Sequence, residues 1–199
     1  MKKILKVVGV ALCLVAFTQN SNAQFNVGLD VAMPIGTFGE GNGIGFGGSA
    51  GYDHAIGDNM KIGGQVGLLR FGGKTPEGFD EDEDYSSSLM LIPITGNFKY
   101  YFADNTNGFY SVVAIGMSMY KYKSEYTYTT TEYDFTTTPW TTTEVKNTVN
   151  GDLSKTYLTY AVGAGYLINE KLDFGLKYAI VAGEGGSIAY INLRAAYNF

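Results

Sequence analysis

The sequence has little charge, almost no cysteine and few residues that break β-structure. It contains one cysteine, four prolines and one histidine, and charged residues make up 17% of the chain. That charged fraction is well below the about 25% of ordinary soluble domains, and a single cysteine excludes an internal disulfide framework. Glycine (27 residues) and aromatic side chains (15%) are abundant instead. Without a Gly-X-Y period this glycine content does not indicate collagen, and so many aromatic residues exclude a disordered chain.

The first 23 residues are predicted to be a secretory signal peptide. Lysines at positions 2, 3 and 6 precede an apolar run over 7–17, and small residues end the segment at Ala23. The run is shorter than the about 20 residues of a membrane-spanning helix. Cleavage after Ala23 removes Cys13 and three of the 14 basic residues, so the domain of residues 24–199 keeps 11 basic and 19 acidic residues. An acidic exported chain of this kind is not expected to bind nucleic acid.

Apolar and polar residues alternate with a period of two through the rest of the sequence. Near its start, Val27, Leu29 and Val31 alternate with Gly28 and Asp30. This pattern is typical of a β-strand whose two faces meet different surroundings. Eight segments show it: 25–33, 44–54, 60–71, 88–102, 109–121, 157–168, 172–181 and 188–199. We therefore expect one all-β domain of eight strands.

The charges indicate which face of these strands meets lipid. One face of each segment is apolar, although Arg70, at the end of the third segment, falls on it. The opposite faces carry Asp30, Asp53, Lys61, Lys99, Asp173, Lys177 and Arg194. A soluble sandwich or lipocalin-like barrel would bury the apolar faces, but they are very large for this length of chain. A transmembrane barrel with lipid-facing apolar residues and a polar interior accounts for both faces.

The connections alternate in length. Those at 55–59, 103–108 and 169–171 are short, and those at 34–43, 72–87, 122–156 and 182–187 are the outer ones. Short periplasmic turns, longer outside loops and an even number of strands are typical of bacterial outer-membrane barrels and place both termini in the periplasm. A girdle of aromatic residues is predicted at the periplasmic interface: Phe25, Tyr100, Phe102, Phe109, Tyr166, Phe174, Tyr197 and Phe199.

Three motifs carry a resemblance to a known family. They are Ile92-Pro93-Ile94 with Lys99-Tyr100-Tyr101-Phe102, Gly163-Ala164-Gly165-Tyr166, and the closing Arg194-Ala195-Ala196-Tyr197-Asn198-Phe199. Over residues 24–199 the chain resembles the small outer-membrane β-barrel family of Gram-negative bacteria, the OmpX/OmpA type. The resemblance implies an antiparallel up-and-down barrel surrounded by outer-membrane lipid and lipopolysaccharide. It also implies that Tyr197 and Phe199 act as the signal read by the barrel-assembly machinery. Pro93 lacks a backbone donor, so we expect a bulge there or a position near the rim.

An acidic segment precedes the fourth strand. Asp80, Asp82 and Asp84 have the spacing that begins a calcium loop, but Tyr85 and Leu91 replace the glycine and the glutamate that an EF-hand needs. These aspartates are therefore weak candidates for loose divalent-cation binding in an otherwise solvated loop.

Neither a cofactor nor an enzymatic activity is expected. Gly43, Gly45 and Gly48 fit G-x-G-x-x-G, but a strand rather than a helix follows them, which excludes a dinucleotide site. His54 is the only histidine and lies near the periplasmic end of its strand. A nucleophile at the outer rim would therefore lack its usual base.

The segment 122–156 has a composition of its own. Eleven threonines lie between Thr127 and Thr148, interleaved with aromatic residues. Because threonine and tyrosine favour strands, we expect the fifth and sixth strands to continue outside the membrane as a long hairpin with Pro139 near its tip. This hairpin is either a passive polar structure or a surface that binds an extracellular ligand through its exposed edges and aromatic residues.

Inside the barrel we predict a polar layer that closes the lumen. Its residues are Asp30, Gln65, Asn97, Lys177 and Arg194. Asp30 is expected to bridge Arg194, Lys177 or both, the alternative being separate charges solvated by trapped water. An eight-stranded barrel is just wide enough to be filled by side chains. The predicted function is a structural or surface-interaction role, and the alternative is a small-solute porin.

Overall fold

The computed structural model describes residues 23–74, 84–103, 107–134, 141–183 and 186–199. The elements are β1 (Ala23–Ile35), α1 (Thr37–Gly41), β2 (Asn42–Ala55), β3 (Met60–Gly73), β4 (Asp84–Tyr101), β5 (Gly108–Asp134), β6 (Thr141–Ile168), β7 (Leu172–Gly183) and β8 (Gly186–Asn198). The predicted signal peptide lies outside the described residues, apart from Ala23 at the start of β1. Within the described residues, no helix is long and apolar enough to cross a membrane.

The eight strands form a closed antiparallel barrel in which each strand pairs with its neighbours in the chain. Pairing of β1 with β8 closes the barrel and places Asp30 opposite Arg194. The amide of Phe199 extends this seam by donating to the carbonyl of Phe25 at 2.8 Å. The predicted eight-stranded up-and-down barrel is therefore confirmed.

The two faces of the strands are separated as the alternation predicts. Outward-facing apolar side chains are exposed on every strand, and examples are Leu29 (76%), Ile115 (63%) and Leu193 (53%). Inward-facing side chains are mostly buried, and they include the charged residues Asp30, Asp53, Lys61, Lys99, Asp173 and Arg194. The barrel therefore has an apolar outside and places its charges within.

The two ends of the barrel differ. At one end, here called the turn end, lie both termini of the barrel and the connections after β2, β4 and β6. Edge-to-face aromatic pairs surround this end, among them Phe109 with Tyr166 (4.6 Å between ring centroids) and Tyr197 with Phe199 (5.1 Å). The opposite end, here called the ribbon end, carries α1 and the connections after β3, β5 and β7.

The longest strands are β5 and β6, with 27 and 28 residues. They pair with each other without interruption out to Asp134 and Thr141. Most of the segment 122–156 is therefore strand, as the threonine-rich composition predicts, and Pro139 lies outside the described residues. We call residues 122–134 and 141–156 the ribbon.

Pro93 lies in the middle of β4 and not near its end. The β3–β4 pairing is interrupted opposite Pro93 and Ile92 and resumes at Leu69 and Leu91 in an unchanged register. The expected bulge or rim position is therefore wrong. The proline is tolerated on the side of β4 that faces β3 because the proline ring lies against a glycine, Gly67. A β-carbon on Gly67 would be only 3.2 Å from Cγ of Pro93.

Candidate functional site

Lys99 lies at the centre of a buried ion-pair network inside the barrel. Its Nζ is 2.9 Å from Oδ2 of Asp53 and 2.9 Å from Oδ2 of Asp173. The Tyr110 hydroxyl donates to Asp173 at 2.5 Å, and the Asn26 side-chain amide donates to Asp53 at 3.1 Å. The side chains of the three charged residues are at most 9% exposed. Each carboxylate thus has two donors, which offsets much of the cost of burying it in a lipid-surrounded interior.

Arg194 joins this network to the β1–β2 wall. Its Nε donates to Oγ of Ser49 and its Nη2 donates to Oδ1 of Asn26, both at 2.8 Å. Its Nη1 also lies 4.0 Å from Oδ2 of Asp173. The guanidinium therefore has partners on three strands, which orients it within the lumen.

Asp30 lies opposite Arg194 in the strand register but makes no ion pair with any described residue. Its carboxylate accepts hydrogen bonds from Oγ of Ser49 (2.5 Å) and Nδ2 of Asn192 (2.8 Å). The predicted bridge from Asp30 to Arg194 or Lys177 is therefore wrong. Ser49 lies between the two charges, because its hydroxyl donates to Asp30 while accepting from Arg194.

The other residues of the predicted polar layer also face the lumen. Nζ of Lys177 donates to Oε1 of Gln65 at 2.7 Å, and Asn97 accepts from the Thr95 hydroxyl at 3.3 Å. The space that Lys177, Gln65, Asn97 and Arg194 enclose measures about 20 Å³. A cavity of this size has room for about one water molecule.

Apolar side chains fill the lumen on both sides of the polar groups. Toward the ribbon end they form one buried cluster: Ala32, Phe38, Leu69, Phe71, Leu89, Leu91, Ala114, Ala161, Ala179, Val181 and Tyr190. Toward the turn end Tyr101, Tyr110, Val112 and Leu167 form a second cluster. The expected polar interior is therefore wrong for a large part of the lumen. Runs of consecutive apolar residues, such as 89–92, indicate the apolar filling in the sequence, since such runs are typical of strands whose two faces both meet apolar surroundings.

The short helix α1 closes the ribbon end of this apolar cluster. Phe38 is 9% exposed, and its ring packs edge-to-face on Phe71 with 5.2 Å between centroids. Nδ2 of Asn42 donates to the Phe38 carbonyl (3.1 Å) and Nζ of Lys74 donates to the Gly39 carbonyl (2.7 Å). The sequence predicts a loop here, and the inward position of Phe38 depends on the cavity that the barrel provides.

The ribbon extends past its neighbouring strands. Pairing of β4 with β5 ends at Asp84 and Thr127, and pairing of β6 with β7 begins at Leu158 and Ala182. Residues 149–154 of β6 consequently pair with β5 on one side, and no described strand pairs with them on the other. Along this stretch Val149 is 56% exposed and Leu153 is 45% exposed. An exposed strand edge with apolar side chains is the feature to which an extended partner segment can add.

The remaining predicted site residues have different outcomes. Asp80 and Asp82 lie outside the described residues and Asp84 begins β4, so the weak cation site stays a prediction. Nδ1 of His54 is buried and has no hydrogen-bond partner among the described residues. Tyr197 and Phe199 lie at the turn end with 42% and 68% exposure, and their role as an assembly signal stays a prediction.

Comparisons with known proteins agree with this architecture. The model of a family described as outer membrane protein beta-barrel domain matches residues 6–199. The crystal structure of Ail, the attachment invasion locus protein of Yersinia pestis, is similar with a TM-score of 0.56 and 14% identity, over 89% of this chain and 97% of that one. The structure of the same protein in complex with the heparin analogue sucrose octasulfate is similar with a TM-score of 0.56 and 13% identity, over the same shares of the two chains. The N-terminal barrel domain of Pseudomonas aeruginosa OprF has a TM-score of 0.47 and 14% identity, over 91% of this chain and 100% of that one. No curated protein matches the sequence.

Proposed function

The chain belongs to the outer membrane protein beta-barrel domain family, and we propose from this premise that it is a surface-interaction barrel with a closed lumen. The family places it in the outer membrane. With the termini and the turn end in the periplasm, the ribbon end faces the outside of the cell, where the ribbon binds an extracellular partner.

The observation that carries this proposal is the length of the ribbon. The other six strands have 12 to 18 residues, whereas β5 and β6 have 27 and 28. A transmembrane strand needs about 9–11 residues, so more than half of β5 and β6 is not required to cross the bilayer. The exposed edge at 149–154 is where an extended segment of a partner protein adds as a further strand.

The filling of the lumen favours this function over the small-solute porin. A solute would have to displace the apolar cluster that includes Phe38 and Phe71 and then break the ion pairs of Lys99. Water-filled general porins use about 16–18 strands, whereas eight strands leave room only for side chains. Ail, solved with a heparin analogue, is an example of a similar barrel with a bound ligand. The chemistry of the partner proposed here follows from the ribbon of this chain alone.

Removal of the ribbon tests the proposal. Tyr120 and Lys155 are paired in register, so deleting residues 121–154 and joining the ends by Asn-Gly removes the exposed edge at 149–154 and leaves a shorter hairpin of the same pairing. We expect the barrel to fold, with an unchanged heat-dependent gel shift, and cells displaying it to lose binding to host-cell and matrix surfaces. A deletion that leaves binding unchanged would contradict the interaction role. A deletion that prevents folding would show that the ribbon belongs to the barrel wall.

A smaller change tests the strand edge itself. Lysine at both Val149 and Leu153 puts charge on the exposed edge, a device by which natural sheets prevent strand addition. We expect partner binding to fall while folding is unaffected. Ser187→Lys is the control, because Ser187 is also exposed but lies in β8, paired with Ala182 of β7 and outside this edge. Equal binding by the edge variant and the control would exclude strand addition at this edge.

A further inference from the structure

A recess opens at the mouth of the barrel, next to the exposed edge of β6. It measures about 370 Å³, and its lining includes Thr37 and Phe38 of α1, Leu153, Lys155 and Tyr157 of β6 and Ile188 of β8. Ligand pockets in proteins usually measure about 300–1,000 Å³. The recess, here called the mouth recess, therefore has room for a large side chain or a small ligand. The apolar filling of the lumen closes its floor, so a group that enters it does not pass through the barrel.

The mouth recess is apolar and partly aromatic. Phe38 belongs to the buried cluster of the lumen. Tyr120, Tyr157 and Ile188 pack against that cluster while remaining partly exposed. The rings of Tyr120 and Tyr157 meet edge to face with 6.4 Å between their centroids. Among the described lining residues Lys155 is the only charged one, and a lining without a carboxylate disfavours a cationic ligand. Partly exposed rings of this kind favour contact with a further aromatic ring.

The backbone of β6 presents unpaired groups along the edge beside the recess. The amide of Phe102 donates to the carbonyl of Phe109 at 3.0 Å, which identifies a hydrogen-bonded pair between β4 and β5. Because the direction of backbone groups alternates along a strand, the odd-numbered residues of β5 bond to β4 and the even-numbered ones to β6. Leu153 pairs with Tyr122 and therefore bonds to β5. The residues that alternate with it direct their N–H and C=O groups to the exposed edge: Asn150, Asp152 and Ser154.

A strand added to this edge would lie in line with β7. Pairing of β6 with β7 begins at Leu158 and Ala182, so the added strand takes the position that β7 leaves open beyond its end. Leu153 faces the mouth, because its pair residue Tyr122 packs against the buried cluster of the lumen. Residues paired across two strands have their side chains on the same face of the sheet. The partner residue opposite Leu153 therefore projects its side chain over the mouth recess.

We propose that the partner segment carries an aromatic side chain opposite Leu153 and that this side chain fills the mouth recess. Hydrogen bonds to the backbone of the β6 edge then hold a strand of any sequence, whereas the recess selects among sequences. A planar ring suits this space better than an aliphatic side chain, because it adds edge-to-face contacts with Tyr120 and Tyr157. This inference rests on the strand addition given under the proposed function, and it adds the side chain that the partner must present.

Short synthetic peptides test the mouth recess. Each peptide is acetylated and amidated, alternates threonine with valine, and carries a lysine at each end for solubility. Its central residue, on the valine face, is phenylalanine, leucine or alanine. The order of residues is the same in both directions, so a parallel and an antiparallel peptide present the central residue equally. Binding to the refolded barrel in detergent would be measured by fluorescence polarisation of the labelled peptide.

The phenylalanine peptide should bind at least about tenfold more tightly than the alanine peptide, the effect of burying one large apolar side chain. The leucine peptide should bind with an intermediate affinity, because it fills part of the recess without the ring contacts. Equal affinities of the phenylalanine and alanine peptides would overturn the proposal. A leucine peptide that binds as tightly as the phenylalanine peptide would overturn the preference for an aromatic side chain.

Two substitutions in α1 locate the effect. Thr37 lines the recess, whereas Glu40 lies outside this lining, and both residues are exposed. Thr37→Trp places an indole ring in the recess and should reduce the preference for phenylalanine over alanine to within about twofold. Glu40→Trp is the control and should keep the preference. Loss of the preference in both variants, or in neither, would contradict the assigned position of the ring. If Thr37→Trp does not fold, as a gel shift would show, the peptide comparison on the wild type decides alone.

A methylated peptide separates the recess from the strand edge. Leu153 belongs to both features, so the lysine variant of the edge test does not distinguish them. Methyl groups on the threonine nitrogens remove the N–H groups that bond to the edge and leave the phenylalanine unchanged. We expect this peptide to bind at least about tenfold more weakly than the unmethylated one.

The outcomes distinguish the two proposals. If the three unmethylated peptides bind equally and the methylated one does not bind, strand addition stands and the role of the recess is refuted. If the methylated phenylalanine peptide binds as tightly as the unmethylated one, the recess takes a ring without strand addition, and both proposals are wrong. Absence of binding by every peptide would contradict strand addition and this inference with it.

Discussion

Replacing Lys99 by methionine should destabilise the barrel more than removing any other lumen cation. Lys99 is the shared partner of Asp53 and Asp173, with both carboxylates 2.9 Å from its Nζ. Without it Asp173 keeps the Tyr110 hydroxyl and the Arg194 guanidinium at 4.0 Å, and Asp53 keeps only the Asn26 amide. Methionine fills a similar volume, so the main effect is that both buried carboxylates lose their nearest charge partner, and Asp53 its only one among the described residues.

The expected loss in the free energy of unfolding is about 3–5 kcal/mol, the usual cost of removing one partner from a buried pair. Lys177→Met is the matched control, because its Nζ donates to Gln65 at 2.7 Å and makes no ion pair with a described residue. It should cost no more than about 1.5 kcal/mol, the value of an ordinary hydrogen bond. Adding Asp53→Asn to Lys99→Met should recover part of the loss, because it removes one of the unpaired charges.

The assay is urea unfolding of the barrel in lipid vesicles, followed by circular dichroism and by the heat-dependent gel shift. Fluorescence is less suitable because the one tryptophan, Trp140, lies outside the described residues. Equal losses of unfolding free energy for Lys99→Met and Lys177→Met would show that Lys99 does not act as a charge partner. A further loss on adding Asp53→Asn to Lys99→Met would show the same.

Three other changes test the outer wall, the close approach of the strands and the closed lumen. Val113→Lys puts a charge on a side chain that is 55% exposed to lipid and should cost about 2–4 kcal/mol near the bilayer midplane, measured by the same unfolding assay. Gly47→Ala should lower stability because a methyl group there would overlap a carbonyl oxygen of β3. Gly41→Ala should not, because a β-carbon there would meet no atom within 4 Å, and equal urea midpoints of unfolding for the two variants would contradict the packing. Phe38→Ala should leave the barrel without ionic conductance, because Phe71 and the ion pairs still fill the lumen; discrete single-channel openings in the variant would revive the porin alternative.

The barrel wall could be predicted from the sequence because the residues of each strand alternate according to the surroundings of its two faces. In β1 the alternation of Val27, Leu29 and Val31 with Asp30 requires one lipid-facing and one interior face, whatever the neighbouring strands are. The threonines after Thr127 likewise favour a strand locally, and the long hairpin follows from that preference. Neither inference depends on residues that are distant in the chain.

Which side chains contact one another inside the lumen depends on distances between strands, and a local sequence pattern does not determine those distances. The inward parity of Asp30, Lys99 and Arg194 is evident from the sequence, but their partners depend on how the strands tilt and stagger around the barrel. Register alone suggests that Asp30 pairs with Arg194, whereas the inserted hydroxyl of Ser49 separates them.

A barrel with an apolar outside, charges inside and one long hairpin could be predicted from the chain alone, since these properties follow from a period of two along each strand. The folded sheet was needed to show that Lys99 of β4 meets Asp53 of β2 and Asp173 of β7 across the lumen. It was also needed to show that Phe38 of α1 packs on Phe71 to close the ribbon end. The physical reason is that closure of the sheet brings together side chains 46 and 74 residues apart, and their depth in the barrel, not their spacing in the chain, determines which of them interact.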